Sequence, residues 1–220
     1  IWMESLDWRS QDSWSTVTSD LFEALTDGDD DRRFELLMKF ALNPGHPRNV
    51  LFLHRELSVL SLAERDRTWT VWITRVLTDY RTPSGVEELL AWAGEGDLGS
   101  IPDDSILLIG LSLAWMASTT SRKSSTEIID KILRVLSWHP EAATRLLEMV
   151  IGVDDPYVVE AVLIGCLGCC QQQSIGKSYA AWMARIAYEK FFEPEQQPTH
   201  ILLRYYAAEI CNRACSIGAS

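Results

Sequence analysis

Two stretches of this sequence combine a helix start signal with a long apolar run that carries almost no charge. Ser105–Thr120 has no charged residue, and Tyr157–Cys170 has a single glutamate. Asp103 or Asp104 is placed to cap the first helix, and Asp155 is placed to cap the second. A helix that is apolar on nearly all sides has to be covered on several of them. We therefore expect both helices to be packed inside a group of other helices.

The rest of the chain also has apolar residues at helical spacing. Ser61 and Ser84 begin capping boxes with Glu64 and Glu87, which predict two further helix starts. No alternating apolar run bounded by turn residues indicates a strand. The sequence therefore predicts an all-α protein, whose other helices cover approximately residues 15–26, 29–42, 48–60, 61–80, 84–92, 127–138, 141–151, 177–192 and 199–216.

Amphipathic helices lie between the two apolar ones and are joined to them by short turns. On the amphipathic helix 127–138 we expect i, i+4 ion pairs between Glu127 and Lys131 and between Asp130 and Arg134. The alternation predicts stacked antiparallel helix pairs, a HEAT- or armadillo-like α-solenoid, with an irregular helical bundle as the alternative. The two apolar helices start 51 residues apart, at Asp104 and Asp155, which suggests equivalent positions in a loose repeat.

One helical-repeat domain over residues 1–220 is the expected organisation, with the glycine-rich segment 94–102 as a candidate flexible break. The chain starts at Ile1 and not at Met, which suggests either a processed chain or a piece of a longer one, and we expect a fragment of a larger protein. The net charge of −11 disfavours nucleic-acid binding, since an acidic surface repels phosphates. Five cysteines, an odd number with three of them crowded together, favour a reducing cytoplasm. No apolar run has the length of about 20 residues that spans a membrane.

Two motifs that bind cofactors or metals in other proteins occur here in incomplete form. Gly176-Lys177-Ser178 resembles the end of a phosphate-binding loop, but Gln171 stands where that loop needs glycine and a helix precedes it. Cysteines on two predicted helices have spacings that a zinc site also uses, although packing as small apolar residues explains them better. They are Cys166, Cys169, Cys170, Cys211 and Cys215. We expect no cofactor and no metal.

The acidic, histidine and tryptophan residues point to structure and not to catalysis. Asp27 to Asp31 lack the later glycine and glutamate of a calcium loop and fit the start of a helix. The histidines are scattered without a nucleophile at motif spacing, so we expect no enzyme activity in this segment. They are His46, His54, His139 and His200. Most tryptophans should lie in the core, with one or two on a binding face; they are Trp69, Trp72, Trp92, Trp115, Trp138 and Trp182.

Several segments between residues 48 and 210 match patterns known from one bacterial group. They are Leu51–Arg55, Leu62–Asp66, Trp69-Thr70, Leu113–Trp115, Arg145–Leu147, Asp155–Val158, Pro198–Arg204 and Tyr206-Ala207. In these segments the chain resembles the antiviral STAND NTPases and their relatives, large ATP-binding proteins with helical-repeat C-terminal regions. Asp155–Val158 and Pro198–Arg204 are the more specific matches.

The resemblance implies a sensor segment whose ATPase and effector domains lie elsewhere in a parent protein. In that family the repeats recognise a viral protein such as a terminase or portal, and binding triggers oligomerisation. We therefore expect a non-enzymatic recognition module in the cytoplasm that binds a viral structural or packaging protein, with binding residues that the sequence does not identify. The alternative is a structural spacer or oligomerisation segment of a large protein.

Overall fold

The computed structural model describes residue 6 and residues 11–78, 84–172, 174–193 and 200–219. Across these residues the chain forms a short 3₁₀ helix at Gln11–Ser13 and then α-helices only, with no strand, which confirms the all-α prediction. The helices are α1 (Thr16–Thr26), α2 (Asp30–Phe40), α3 (Val50–Val59), α4 (Leu62–Arg67), α5 (Trp69–Thr78), α6 (Ser84–Glu95), α7 (Asp103–Met116), α8 (Arg122–Leu136), α9 (Pro140–Val150), α10 (Pro156–Gln171), α11 (Lys177–Phe191) and α12 (Ile201–Ser216).

Side-chain caps fix several helix starts where the sequence predicts them. Ser61 and Glu64 form the reciprocal capping box at the start of α4. Asp29 caps α2 by accepting a hydrogen bond from the Arg32 amide. Asp155 caps α10 by accepting from the amides of Tyr157 and Val158, and Pro156 supplies the first helical residue. α6 begins at Ser84, and residues 79–83 ahead of it lie outside the described part of the chain. The capping box of Ser84 with Glu87 therefore stays a prediction.

The predicted continuous helix from 61 to 80 is wrong, because Thr68 interrupts it. Thr68 leaves the helical region of backbone conformation, with φ −113° and ψ −83°. The chain therefore changes direction between α4 and α5. This change brings the indole of Trp69 to the end of α7, where its Nε1 donates to the carbonyl oxygen of Trp115 at 3.0 Å.

Two further predictions about charged side chains are corrected. Pro102, not Asp103 or Asp104, precedes α7, and its position has no side-chain cap. Asp103 lies in the first turn instead, and its Oδ1 is 2.9 Å from Nδ1 of His139.

The predicted ion pairs on α8 are also wrong, because both groups have other partners. Glu127 pairs with Lys123 at 3.9 Å. Arg134 donates to the carbonyl oxygens of Ala93 and Gly96, at 2.8 and 2.7 Å. The side chain of Arg134 is thus used to hold the end of α6 and the start of the 94–102 segment.

The two apolar helices are buried as predicted. In α7 every residue from Ile106 to Met116 is buried, and in α10 most residues are. Glycines allow close packing around them: a Cβ at Gly110 would lie 2.9 Å from Leu146 Cδ2, and one at Gly165 would lie 2.7 Å from Leu136 Cδ1. The lack of a polar face in these helices is therefore explained by neighbours on several sides.

The order of helix contacts from α7 onward is compatible with a solenoid of stacked pairs. Within each pair, α7 packs on α8, α9 on α10, and α11 on α12. Between pairs, α7 contacts α9 and α9 contacts α11, while α8 contacts α10 and α10 contacts α12. The first helices of the three pairs begin at residues 103, 140 and 177, a spacing of 37 residues.

This order changes the interpretation of the two apolar helices. α7 is the first helix of its pair and α10 is the second helix of the next pair, and the two also contact each other. The two helices therefore do not occupy equivalent positions in successive pairs, and the 51 residues between their starts are not the length of a repeat. The buried apolar residues of the described chain form one connected cluster that extends from Leu6 to Ala219.

Candidate functional site

A buried polar network connects α3, α4, α5, α7 and the turn before α10. Nε1 of Trp115 donates to Nδ1 of His54 at 3.2 Å. Nε1 of Trp69 donates both to the carbonyl oxygen of Trp115 and to Oγ of Ser118, at 3.0 and 3.1 Å. Both indole rings are completely buried, and each indole N–H has an acceptor, as buried tryptophans usually require.

Arg65 is the cationic group of this network, and its side chain is only 1% exposed. Its guanidinium donates to the carbonyl oxygens of Leu57 and Leu60 at the end of α3, and to that of Asp154. Its Nε lies 3.5 Å from Oδ2 of Asp155, which is 2% exposed. The pair joins the N-terminal helices to the start of α10.

The surroundings shift the proton affinities of two groups in the network. Burial lowers the pKa of His54, with a further lowering from the nearby charge of Arg55. A neutral His54 ring suits its role as acceptor for the Trp115 indole. Burial raises the pKa of Asp155, against the lowering effects of the Val158 and Tyr157 amides and of Arg65.

Residues from five of the segments that carry the family resemblance meet in this network. They are His54, Arg65, Trp69, Trp115 and Asp155. Arg65, Trp69, Trp115 and Asp155 are buried, and His54 is partly buried, so the network itself offers little surface to a ligand. Their contacts hold helices together. The Pro198-Thr199 part of the last specific match lies outside the described residues.

A groove of about 1070 Å³ runs beside this network and is the candidate functional site. It lies between α5, the α7–α8 turn, α8, and the first turns of α10 and α12. Half of its lining residues are serines and threonines: Thr70, Thr74, Thr78, Ser118, Thr119, Thr120, Ser125 and Thr126. The others are the apolar or aromatic residues Val71, Ile129, Tyr157 and Leu202 and the charged residues Asp66, Arg75, Arg122 and Glu160.

Hydrogen bonds among the hydroxyl groups fix the part of the groove where α5 meets the α7–α8 turn. Oγ1 of Thr74 is 3.0 Å from Oγ1 of Thr119 and accepts from the Thr120 amide at 2.9 Å. Oγ1 of Thr119 in turn accepts from the Ser121 amide at 3.2 Å. This part of the groove is therefore held by hydrogen bonds between α5 and the α7–α8 turn.

The groove also has exposed apolar surface. Val71 is 55% exposed, Tyr157 is 59% exposed and Leu202 is 47% exposed. Each comes from a different helix, α5, α10 and α12. Apolar side chains that remain in water beside hydrogen-bonding groups are typical of surfaces that bind other molecules.

The cysteines pack in the core and along α12. The Cys166 thiol contacts the carbonyl oxygen of Ala143, and the Cys170 thiol contacts Sδ of Met183. Burial raises the pKa of Cys166 well above its ordinary value, that of Cys169 to about 12 and that of Cys170 to about 11. In the described part of the chain, no group of three or more His, Cys, Asp or Glu residues could hold a metal ion.

The glycine of the incomplete phosphate-loop motif and the histidines lie at helix starts or in contacts within the fold. Gly176 precedes α11, and the element before it is the helix α10, as the sequence predicts. His46 is buried, with Nε2 3.0 Å from the carbonyl oxygen of Leu6 and Nδ1 accepting from the Arg48 amide. His200 caps α12. The four histidines are not gathered into one site.

Two of the tryptophans that the structure describes are largely exposed, but neither lines the groove. Trp138 is 62% exposed and Trp182 is 46% exposed. Nε1 of Trp182 donates to Glu148 at 2.5 Å. The groove could not be predicted from the sequence, because its lining comes from separate segments between Asp66 and Leu202 and half of it is Ser and Thr.

Among the described residues, no helix is both long enough and apolar enough to cross a membrane. No protein-family model matches the chain, and neither a curated protein nor a solved structure matches it.

Proposed function

We propose that this chain is a non-enzymatic protein-recognition module and that a segment of the partner protein binds in the groove beside α5. The observation that carries the proposal is the groove itself, about 1070 Å³ in volume, with exposed apolar side chains set among hydroxyl and charged groups. A peptide backbone needs both hydrogen-bonding groups and apolar contacts from its receptor, and this groove supplies both.

The partner we propose is a viral structural or packaging protein, such as a terminase or portal. The support is the resemblance to the sensor regions of antiviral STAND NTPases. In this proposal the parent protein carries the ATPase domain, acts in the bacterial cytoplasm, and oligomerises when the sensor is occupied. In this proposal the groove residues determine ligand specificity. Four of them belong to the segments that carry the resemblance: Asp66, Thr70, Tyr157 and Leu202.

A pair of matched valine substitutions tests the groove. Val71 lines the groove, and Val59 is 83% exposed on α3 and does not line it. Purified terminase and portal proteins are passed over the immobilised chain, and their affinities are measured for Val71→Arg, Val59→Arg and the wild type. We expect Val71→Arg to lose binding and Val59→Arg to keep it. Equal binding by all three, or no binding to any of these proteins, would contradict the proposal.

The second candidate function is oligomerisation, and exposed residues of α12 favour it. Ile201 is 80% exposed and Tyr205 is 55% exposed. Together with Leu202 they place apolar surface at the start of α12, where a second copy could pack. A dimer in light scattering that Ile201→Lys abolishes would support this candidate, and a monomer at all concentrations would oppose it.

A further inference from the structure

The hydroxyl groups that line the groove donate their hydrogens to partners within the protein. Thr70 donates to Oδ1 of Asp66 at 3.2 Å, and Thr120 donates to Oγ1 of Thr74 at 3.2 Å. Thr74 and Thr119 face each other at 3.0 Å, so one of them donates to the other. Seven of the eight hydroxyl hydrogens are therefore used, because four more groups donate to backbone carbonyl oxygens: Thr78, Ser118, Ser125 and Thr126.

The groove therefore offers a ligand mainly hydrogen-bond acceptors. A hydroxyl oxygen that has donated its hydrogen can still accept a hydrogen bond. The backbone amides of Thr120 and Ser121 are also used, because they donate to threonine hydroxyl oxygens. Of the two guanidinium groups in the lining, that of Arg75 pairs with Asp31 at 2.5 Å, and that of Arg122 is an exposed donor. Acceptors thus outnumber the donors that a ligand can reach.

This hydrogen-bonding character suits a helical ligand better than an extended one. Each residue of an extended segment presents a carbonyl oxygen as well as an amide, and both need partners when they are buried. The groove has acceptors for the amides but few donors for the carbonyl oxygens. An α-helix satisfies both groups within itself, apart from those at its ends. Only the side chains of a helical ligand would then need partners in the groove.

The shape and apolar surface of the groove also fit a helix. Residues 70, 71, 74, 75 and 78 of α5 line it, so one face of α5 contributes over about two turns. Two turns of a second helix, about 11 Å long and 10 Å across, occupy about 900 Å³. This is close to the groove volume of about 1070 Å³. The exposed side chains of Val71, Tyr157 and Leu202 provide apolar contacts from three different helices.

We propose that the groove binds an amphipathic α-helix of the partner protein. The apolar face of this helix packs against Val71, Ile129 and Leu202. Lysine or arginine side chains beside that face meet the acceptors of the groove, because these side chains donate hydrogen bonds and accept none. The net charge of −11 favours the same basic character in the ligand. This proposal rests on the proposed function and specifies the conformation and composition of the bound segment.

Selection from a phage-displayed library of random peptides tests the proposal without knowledge of the natural partner. The peptides have about 20 residues, since an isolated helix needs about 12–15 residues to form. The immobilised wild-type chain should enrich peptides with apolar residues at positions i, i+3, i+4 and i+7 and with lysine or arginine beside them. An isotope-labelled selected peptide should show helical NMR chemical shifts when bound. Proline in its centre should weaken binding by at least about tenfold, because proline breaks a helix.

Substitutions in a selected peptide test the need for donors. Methionine in place of a lysine or arginine beside the apolar face removes the donors and keeps an unbranched side chain. Affinity should fall about tenfold for each contact removed, as expected for a hydrogen bond from a charged group. Unchanged affinity, or enrichment of aspartate and glutamate at these positions, would overturn the basic character of the ligand.

The matched valine variants connect the peptides to the groove. Val71→Arg should lose binding of the selected peptides and Val59→Arg should keep it, while circular dichroism and thermal unfolding verify that both variants are folded. Peptides that fail to bind Val71→Arg but are extended when bound would overturn the helical ligand and leave recognition in the groove intact. Peptides that bind Val71→Arg as tightly as the wild type, or a selection that enriches none, would overturn the proposed function as well.

Discussion

Arg65 connects the ends of two helices through one buried guanidinium. Its donors meet carbonyl oxygens at the C-terminal end of α3, where a cation is favourable, and its Nε faces the carboxylate that caps the N-terminus of α10. The contact with Asp154 joins residues that are 89 positions apart. A side chain with so many partners in the interior is difficult to replace.

Replacing Arg65 by Met should lower the free energy of unfolding by about 3–5 kcal/mol, because it leaves the carboxylate of Asp155 buried without its counterion. Urea denaturation followed by circular dichroism measures the change. A variant as stable as the wild type would show that the guanidinium contributes little.

The double variant Arg65→Met, Asp155→Asn separates the charge from the packing. Asn retains the cap of α10 but removes the buried charge, so the double variant should recover part of the lost stability. It should not recover all of it, because the carbonyl oxygens of Leu57, Leu60 and Asp154 still lack their donor.

His54 should make stability depend on pH in the mildly acidic range. Burial lowers its pKa in the folded state below the ordinary value of 6.5, so the unfolded chain binds more protons just below that pH. The contribution of His54 is therefore fully present above pH 6.5 and is lost as the pH falls towards the folded-state pKa. Unfolding free energies measured from pH 8 down to pH 5 should show this decrease.

The matching variant is His54→Asn, whose amide oxygen can accept from the Trp115 indole but does not titrate in this range. The difference in unfolding free energy between the wild type and the variant should be constant above pH 6.5 and should shift against the wild type below it. A difference that stays constant over the whole range would exclude His54 as the source.

At the scale of the helices, sequence predicts best where a single side chain decides the structure. Ser61 and Asp155 mark helix starts because their oxygens accept hydrogen bonds from amides two or three positions ahead. The break at Thr68 could not be predicted in this way, because no Gly or Pro marks it between residues 61 and 78, and the contact of Trp69 with the end of α7 is long-range. The hydrogen bonds of Arg134 could not be predicted either, because their acceptors are backbone carbonyl oxygens far away in the sequence.

The contact between α8 and α10 depends on Gly165. A Cβ there would lie 2.7 Å from Leu136 Cδ1 and 2.9 Å from Ile132 Cγ2, and both leucine and isoleucine are fully buried. Overpacking outweighs the higher helix propensity of alanine, so Gly165→Ala should destabilise the protein by about 1–2 kcal/mol in thermal or urea unfolding.

Gly85→Ala is the control, because a Cβ at Gly85 in α6 meets nothing within 4 Å. Here the helix propensity of alanine acts without a steric cost, and the variant should be stabilised by at most about 1 kcal/mol. Equal effects at both positions would show that the packing of α8 on α10 tolerates the added methyl group.

At the scale of the whole molecule, the sequence predicts the class of fold but not the order of the stack. The two apolar helices look alike in sequence, yet α7 is the first helix of its pair and α10 the second, since burial depends on the number of neighbours and not on the position in a repeat. The groove is beyond sequence reasoning for a related reason: residues between Asp66 and Leu202 form it only after the helices have packed.

Cooperative unfolding of the whole chain tests the prediction of a single domain. The buried cluster extends from Leu6 to Ala219, and Arg65 joins the N-terminal helices to α10. We expect urea unfolding curves from tryptophan fluorescence and from far-ultraviolet circular dichroism to coincide in one transition. Two separated transitions would indicate independent units, with 94–102 as the place to look for their boundary.

The packing of the cysteines has a practical consequence for chemical labelling. Cys166, Cys169 and Cys170 are buried thiols that remain protonated at neutral pH, whereas Cys215 is exposed. A maleimide fluorophore requires an accessible thiolate and should therefore attach mainly to Cys215. Since Cys215 belongs to α12, the helix that also brings Leu202 to the groove, the native chain provides its own attachment point for a dye that reports on that helix.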